Sequence, residues 1–149
     1  MPPKPETLLR RLLRVSRMVN TLTADEYSRI HLSAGQPAVL LYLGENDGAV
    51  QGDLAQNLCI RPATVAINLR GMERARLIRR ETDSFDLRVS RVYITERGKA
   101  LLRDIRKVEK QAQERFFEGF SEAERETFIQ LLGRVSDNLL DSYNNKKPG

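Results

Sequence analysis

The chain has 149 residues, a length that favours one domain, or one compact module with an appended dimerisation part. It is 40% apolar and 30% charged with a net charge of +5, a balance that is typical of a globular protein and excludes a disordered chain. One cysteine, Cys59, and one histidine, His31, exclude an internal disulfide and a structural zinc site, and no phosphate-binding glycine loop or nucleophile motif supports an enzyme. The first residues lack the pattern of a secretory signal and no apolar run reaches membrane-spanning length, so we expect a cytoplasmic protein that makes no membrane contact.

Two helices are predicted in the first third of the chain. Apolar residues recur at helical spacing from about Thr7 to Thr23 and predict the first helix. Ser33 and Gln36 have the spacing of a capping box, in which the serine caps the second helix and the glutamine reaches back. The second helix stops before the turn-forming residues 45–48.

A helix-turn-helix is predicted next. A short helix runs from about Gln51 to Leu58, and Pro62 starts another, since proline at a first helical position has a preset φ and no amide hydrogen to lose. This recognition helix reaches about Ala75, with the apolar residues Val65, Leu69 and Met72 on its inner face. The break of about three residues around Cys59 completes the motif.

A β-hairpin follows, with predicted strands over residues 77–81 and 90–94 and a polar connection that is too long for a tight turn. A hairpin directly after a helix-turn-helix is a wing. From Ile60 to Arg91 the chain has eight arginines, four acidic residues and no lysine, so most of its excess positive charge lies here. Arginine suits phosphates and guanine edges, and this concentration indicates nucleic-acid binding.

Two long helices are predicted at the end of the chain. Thr95 caps a helix from Glu96 to about Phe120, and Ser121 begins a second capping box whose helix reaches about Tyr143. Their apolar stripes, like that of the first helix, exceed what one winged helix covers. They need partners either within the chain or across a two-fold dimer.

Together these segments resemble the MarR family of regulators, from about Leu8 to Leu140. Four pieces carry the resemblance: the segment 36–43, the run Gly52-Asp53-Leu54-Ala55, the stretch from Thr64-Val65 to Arg79-Arg80, and Asp86-Leu87-Arg88 followed by Tyr93-Ile94-Thr95-Glu96-Arg97-Gly98. The last piece is the most specific of the four.

The resemblance implies one mainly α domain over residues 1–149. A winged helix-turn-helix with a small β-hairpin wing spans about residues 34–95, and dimerisation helices span about 7–30 and 96–143. It further implies a triangular homodimer that needs no cofactor, binds a pseudo-palindromic operator in double-stranded DNA, and represses transcription until a small ligand releases it.

The predicted DNA contacts lie on the recognition helix and the wing. Arg70 suits a guanine edge, Ala63 and Ile67 suit thymine methyls, and Thr64 suits a phosphate. The whole predicted set is Arg61, Ala63, Thr64, Ile67, Asn68, Arg70, Arg74, Asp86 and Arg88.

Arg88 is expected at the wing tip, where it reaches into the minor groove while Asp86 holds its guanidinium. Asn68 lies at the edge of the inner face and either bonds the wing or a backbone carbonyl, or turns out to the DNA. Arg79, Arg80 and Arg91 are general phosphate contacts or solvated strand residues.

Several positions depart from the family pattern. Ile67 is apolar where the outer face is usually more polar, and Val50 stands where the family often has a threonine or serine cap. Arg76 stands where the family often has glycine at the helix end, so we expect a different exit from the helix, and this position leaves the orientation of the wing open.

Arg14, His31 and Tyr42 are candidate ligand-binding residues, because ligands of the family often bind where the dimerisation helices meet the winged helix. The favoured alternative is that they are ordinary surface or packing residues. For Cys59 we favour a small buried hydrophobe over a redox-sensing thiol. The alternative function is a winged helix that uses its basic face for RNA or a protein partner.

Overall fold

Six helices and a three-stranded antiparallel sheet form the part of the chain that the computed structural model describes, residues 5–146. The elements are α1 (Leu8–Arg29), α2 (Gln36–Glu45), β1 (Ala49–Val50), α3 (Gln51–Asn57), α4 (Pro62–Arg74), β2 (Ile78–Thr82), β3 (Ser90–Ile94), α5 (Glu96–Phe116) and α6 (Glu122–Asn145). The predicted mainly α, winged helix-turn-helix fold is confirmed. The chain divides into two compact units, residues 1–112 and 113–149.

The core of the first unit lies between the helix-turn-helix and the sheet. Helix α4 buries the inner face that its sequence predicts, and α2 buries three apolar side chains against it. The side chains with no exposed surface are Val39, Leu40, Leu43, Leu54, Val65, Leu69, Met72, Val92 and Ile105. These contacts hold the two helices of the motif in a fixed orientation, because a close-packed interior resists displacement.

The sheet has the order β1-β3-β2. The predicted hairpin is present, with Ile78 opposite Ile94 and Thr82 opposite Ser90, and its first strand begins one residue later than expected. Strand β1 was not predicted, since two residues are too few to produce a recognisable alternation. It pairs with β3 and ties the start of α3 to the wing.

Helix α4 ends in a Schellman motif centred on Arg76. This residue has φ 61°, the Leu77 N–H donates to the Met72 carbonyl at 2.9 Å, and the Arg76 N–H donates to the Glu73 carbonyl at 3.0 Å. The expectation of a different helix exit is therefore wrong, because arginine here adopts the left-handed conformation that glycine would provide.

The start of α5 is fastened to this exit. The Thr95 hydroxyl donates to the Arg76 carbonyl at 2.7 Å and accepts from the Gly98 N–H at 3.1 Å, which confirms the predicted cap. A Cβ at Gly98 would lie 2.3 Å from the Leu77 carbonyl oxygen, so only glycine allows α5 to approach the chain this closely.

Two helix boundaries differ from their predictions. Helix α1 continues past Thr23 to Arg29, because the Thr23 hydroxyl bonds the Val19 carbonyl at 2.9 Å inside the helix and Tyr27 packs on the core. Helix α5 ends at Phe116 rather than Phe120, before Gly119 with φ 81°.

Only half of the first predicted capping box forms. The Gln36 side chain accepts from the Ser33 N–H at 3.1 Å, but the serine side chain makes no cap bond and Gly35, with φ 86°, occupies the N-cap. The second box, in the unit 113–149, is complete. The Glu124 N–H donates to the Ser121 hydroxyl, and the Ser121 N–H donates to the Glu124 carboxylate.

Helices α1 and α6 leave long apolar stripes uncovered, since neither has a buried residue. The exposed apolar residues are Leu8, Leu9, Leu12, Leu13, Met18 and Leu22 on α1, and Ile129, Leu131, Leu132, Val135, Leu139 and Leu140 on α6. Among the described residues, no helix combines the length and apolarity needed to cross a membrane.

Candidate nucleic-acid interface

Helix α4 separates an inner apolar face from an outer face that is open to solvent. Its N-cap is Arg61, in extended conformation, and Pro62 occupies the first helical position. The inner residues Val65, Leu69 and Met72 have no exposed surface. The outer face of α4 consists of the exposed residues Ala63, Thr64, Ile67, Arg70 and Arg74, five of the nine predicted contacts.

The arginines at this helix are not neutralised by the chain. Within residues 5–146, Arg61, Arg70 and Arg74 form no ion pair, and Arg74 Nε donates only to the Arg70 carbonyl at 3.4 Å. Their charges are available to a partner, and an anionic partner is the one that such a surface attracts.

The hairpin arginines, in contrast, have partners within the protein. Arg91 Nε donates to Asp83 Oδ1 at 2.8 Å and its Nη1 to the Gly48 carbonyl at 3.0 Å. Arg80 pairs with Glu73 at 2.8 Å.

Arg79 pairs with Glu81 and lies 4.4 Å over the Tyr93 ring. The side chains of Arg79, Arg80 and Arg91 remain 54%, 27% and 41% exposed, so their prediction as solvated strand residues or general phosphate contacts stays a prediction. All three have internal partners that brace the wing, as the sequence alone did not indicate.

Arg88 and Asp86 lie together at the wing, as predicted. Arg88 Nε and Nη2 donate to the two carboxylate oxygens of Asp86 at 3.1 and 3.2 Å, and the Arg88 N–H donates to Asp86 Oδ1 at 3.0 Å. The Arg88 hydrogen bond holds the pKa of Asp86 below its usual value. The Arg88 side chain is 90% exposed, so the carboxylate orients the guanidinium without covering it.

Asp83 organises the connection between β2 and β3. Its carboxylate accepts from the Phe85 N–H at 3.3 Å and the Asp86 N–H at 3.0 Å, in addition to Arg91. The Arg91 hydrogen bond, followed by the Asp86 N–H, lowers the pKa of Asp83. The wing loop, residues 83–89, is thereby held in one conformation.

Asn68 faces the interior rather than the outer face of α4. It is only 9% exposed, and a Cβ added to Gly35 would lie 2.6 Å from its Nδ2, so the amide packs against the turn before α2. Its Nδ2 has no hydrogen-bond partner among the described residues, so it bonds neither the wing nor a carbonyl there. Asn68 is thus the one predicted contact whose side chain is buried and cannot reach a DNA ligand in this conformation.

The candidate ligand-binding residues occupy three different elements. Arg14 lies on α1 and pairs with Glu6 at 3.4 Å, His31 lies exposed after α1 with φ 62°, and Tyr42 lies half-buried on α2 against the core.

Two further positions flank α3. Cys59 is exposed in the turn between α3 and α4, with φ 51°, so its assignment as a buried hydrophobe is wrong. Val50 is the N-cap of α3 and makes no side-chain cap bond, as its lack of a hydroxyl predicts.

Two exposed apolar residues in the wing loop, Phe85 and Leu87, were not among the predicted contacts. Their signal was available in the sequence, since they are the large apolar side chains in an otherwise polar connection. They flank Asp86, and Leu87 directly precedes Arg88, so they belong to the same loop as the predicted contacts Asp86 and Arg88.

Comparisons with known proteins agree with this architecture, although no family model matches the chain. The chain is 31% identical over 104 residues to the transcriptional regulator HosA of Escherichia coli O157:H7, covering 70% of this chain and 77% of HosA. The crystal structure of MarR superposes with a TM-score of 0.85 at 26% identity, covering 97% of this chain and 99% of that one. A MarR family protein from Listeria monocytogenes, solved with 26mer DNA, has the same fold at 22% identity and a TM-score of 0.87, covering 97% and 99%.

Proposed function

Because this chain belongs to the MarR family of transcriptional regulators, we propose that it binds a pseudo-palindromic operator in double-stranded DNA as a homodimeric repressor. One observation carries the proposal: the outer face of α4 presents Arg70 and Arg74 without internal ion pairs beside a wing that presents Arg88. The proposal also includes release by a small ligand, a cytoplasmic location, and no catalytic activity or cofactor.

Each exposed residue has a role in this proposal. The outer face of α4 enters the major groove, where Arg70 reads a guanine edge and Ala63 and Ile67 contact thymine methyls. Thr64, Arg61 and Arg74 bind phosphates and set the position of the helix.

Arg88, oriented by Asp86, enters the adjacent minor groove. A narrow, A·T-rich minor groove concentrates negative potential, which favours an arginine there. The major-groove helix and the minor-groove arginine then read neighbouring parts of one half-site.

Dimerisation is proposed through the helices of both chain ends, residues 7–30 and 96–143, with residues 34–95 as the DNA-binding part of a single MarR-type domain. The apolar stripes of α1 and α6 support this role, since a second copy would remove them from water. A two-fold dimer places its recognition helices about one DNA turn apart, roughly 34 Å.

Ligand release is proposed to act near Arg14, His31 and Tyr42. Arg14 and Tyr42 lie on α1 and α2, and His31 lies in the connection between these helices, which joins a dimerisation helix to the helix-turn-helix. The two recognition helices of the dimer can have a spacing that fits the operator or one that does not. A ligand that binds more tightly to the second arrangement would shift the dimer towards it and release the DNA.

The test is equilibrium binding to a pool of random duplexes at two salt concentrations, followed by sequencing of the bound fraction. Enrichment of a palindrome with half-sites about one helical turn apart is expected. Strongly salt-dependent binding with no enriched sequence would contradict sequence-specific function. The alternative of an RNA or protein partner is not favoured, because the relatives are transcriptional regulators.

A further inference from the structure

The tip of the wing is apolar as well as basic. Phe85 is 98% exposed and Leu87 is 81% exposed, so almost nothing in residues 5–146 covers either side chain. They alternate with Asp86 and Arg88, which are joined by the bidentate ion pair. A single exposed apolar side chain is ordinary, but two at the tip of a hairpin beside an oriented arginine form a distinct surface. We name Phe85 and Leu87 the apolar tip.

The backbone beneath the apolar tip is held in place before any partner binds. Asp83 accepts hydrogen bonds from the Phe85 and Asp86 N–H groups, and the Asp83 N–H donates to the Val89 carbonyl at 2.8 Å. The Val89 N–H donates to the Asp86 carbonyl at 3.0 Å and closes the turn. A partner that covers the apolar tip therefore gains apolar burial without ordering a flexible loop.

We propose that the apolar tip packs into the DNA minor groove beside Arg88, with Phe85 as a wedge against deoxyribose and base edges. This inference rests on the proposed function, because the same loop must be at the DNA. Minor-groove proteins combine arginine with apolar wedges at flexible base steps, and Arg88 and Phe85 present both chemistries three residues apart. The occupant is DNA rather than a protein because the apolar tip adjoins Arg88, whose 90% exposed guanidinium favours an anionic partner.

The two chemistries differ in their response to salt. Binding of phosphates by arginine releases counterions, so affinity falls with salt in proportion to the number of phosphates neutralised. Apolar burial releases no counterions. Phe85 therefore contributes affinity that is nearly constant across salt concentrations, while Arg88 contributes to the salt slope.

The experiment measures operator affinity by fluorescence anisotropy at four or more salt concentrations for the unchanged protein and three variants. Phe85→Ser is expected to bind the operator about tenfold more weakly at every salt, with an unchanged slope. Phe85→Leu is the matched control that keeps an apolar side chain, and it should stay within about threefold of the unchanged protein. Arg88→Ala should reduce the slope by about 0.9 for each phosphate that the variant no longer neutralises.

Because Phe85 is almost wholly exposed, Phe85→Ser should melt at the same temperature as the unchanged protein, which separates a DNA effect from misfolding. Operator affinity of Phe85→Ser equal to that of the unchanged protein would overturn the inference while leaving the proposed function intact. Weaker self-association with unchanged DNA affinity would overturn it by assigning the apolar tip to a second copy of the chain. Failure of the unchanged protein to select any operator would instead contradict the proposed function itself.

Discussion

Eight arginines lie between Ile60 and Arg91, and six of them form two groups that differ in their partners. Arg79, Arg80 and Arg91 are held by acidic, aromatic or carbonyl groups of the protein and brace the wing. Arg61, Arg70 and Arg74 form no ion pair within the described residues. A DNA ligand can use the charges of this second group and that of Arg88, whose side chain stays 90% exposed beside Asp86.

Arg70→Ala is expected to lower affinity for the selected operator about 10- to 100-fold, because it removes a bidentate pair with guanine. It should lower affinity for a random duplex only slightly. Titration of both duplexes at one salt concentration checks this. Arg79→Ala is the matched control, since Arg79 is exposed but paired with Glu81, and it should change both affinities little. Equal decreases on the two duplexes for Arg70→Ala would make Arg70 a phosphate contact.

Arg76 has a left-handed backbone conformation, with φ 61°, that disfavours side chains with a Cβ. We expect Arg76→Gly to be more stable than Arg76→Ala by about 1 kcal/mol, because glycine removes the conformational cost at this helix end. Urea unfolding of the two variants measures the difference. An alanine variant as stable as the glycine variant would show that this conformation costs nothing.

At the scale of elements, the wing is a short hairpin whose connection is ordered by carboxylates. Asp83 receives two backbone N–H groups and the Arg91 guanidinium, and Arg91 also reaches the Gly48 carbonyl. One arginine therefore links the wing loop to the turn before β1. This linkage explains how an exposed hairpin of five-residue strands presents Arg88 in a defined position.

Asp83→Ala is expected to loosen the wing loop, because three donors lose their acceptor, while the buried core stays intact. Amide hydrogen exchange of residues 85–91 should become faster, and operator affinity should fall by about severalfold. Ser84→Ala, at the neighbouring exposed position, is the control and should leave both unchanged. Unchanged exchange in Asp83→Ala would mean that other contacts order the loop.

The same carboxylate predicts how the wing responds to pH. The pKa of Asp83 is lowered in the folded protein, so its stabilising contribution is present above the ordinary aspartate value of about 3.9 and is lost as pH falls through the lowered value. Protection of residues 85–91 should therefore be constant from about pH 8 to 5 and decrease only below about pH 4. A decrease between pH 7 and 5 would rule out Asp83 as the group that orders the loop.

At the scale of the whole molecule, the terminal helices are the elements that one chain does not bury. Leu139 on α6 is 59% exposed and belongs to a stripe of large apolar side chains. Exposed apolar surface of this extent is typical of an interface between subunits. The proposed DNA-binding and dimerisation surfaces thus lie on different elements, so each can be changed by its own mutation.

Leu139→Glu is expected to weaken self-association at least tenfold, because it places a charge in a proposed apolar interface. Operator affinity should fall with it, since both half-sites must be bound together. Analytical ultracentrifugation measures the first effect, and Asn138→Glu, which adds the same charge one position away, is the control. Self-association equal in the two variants would exclude this part of α6 from the interface.

Local patterns determined much of this protein. Helical spacing of apolar residues predicted the inner face of α4. Alternation of side chains predicted the strands of the hairpin. The second capping box and the cap at Thr95 were predictable because each joins residues three positions apart. The pairing of Asp86 with Arg88 was predictable for the same reason, because the two residues are neighbours in the chain. Most of the candidate site could therefore be located from the sequence.

Only the tertiary structure decided the features that join distant segments. Arg91 bonds Gly48, 43 residues away, and the burial of Asn68 depends on Gly35 in another element. The two-residue strand β1 exists because β3 is beside it. Sequence patterns predict contacts between residues that are close in the chain. The hydrogen-bond partners of Arg91 and the burial of Asn68 depend instead on which distant segments pack together.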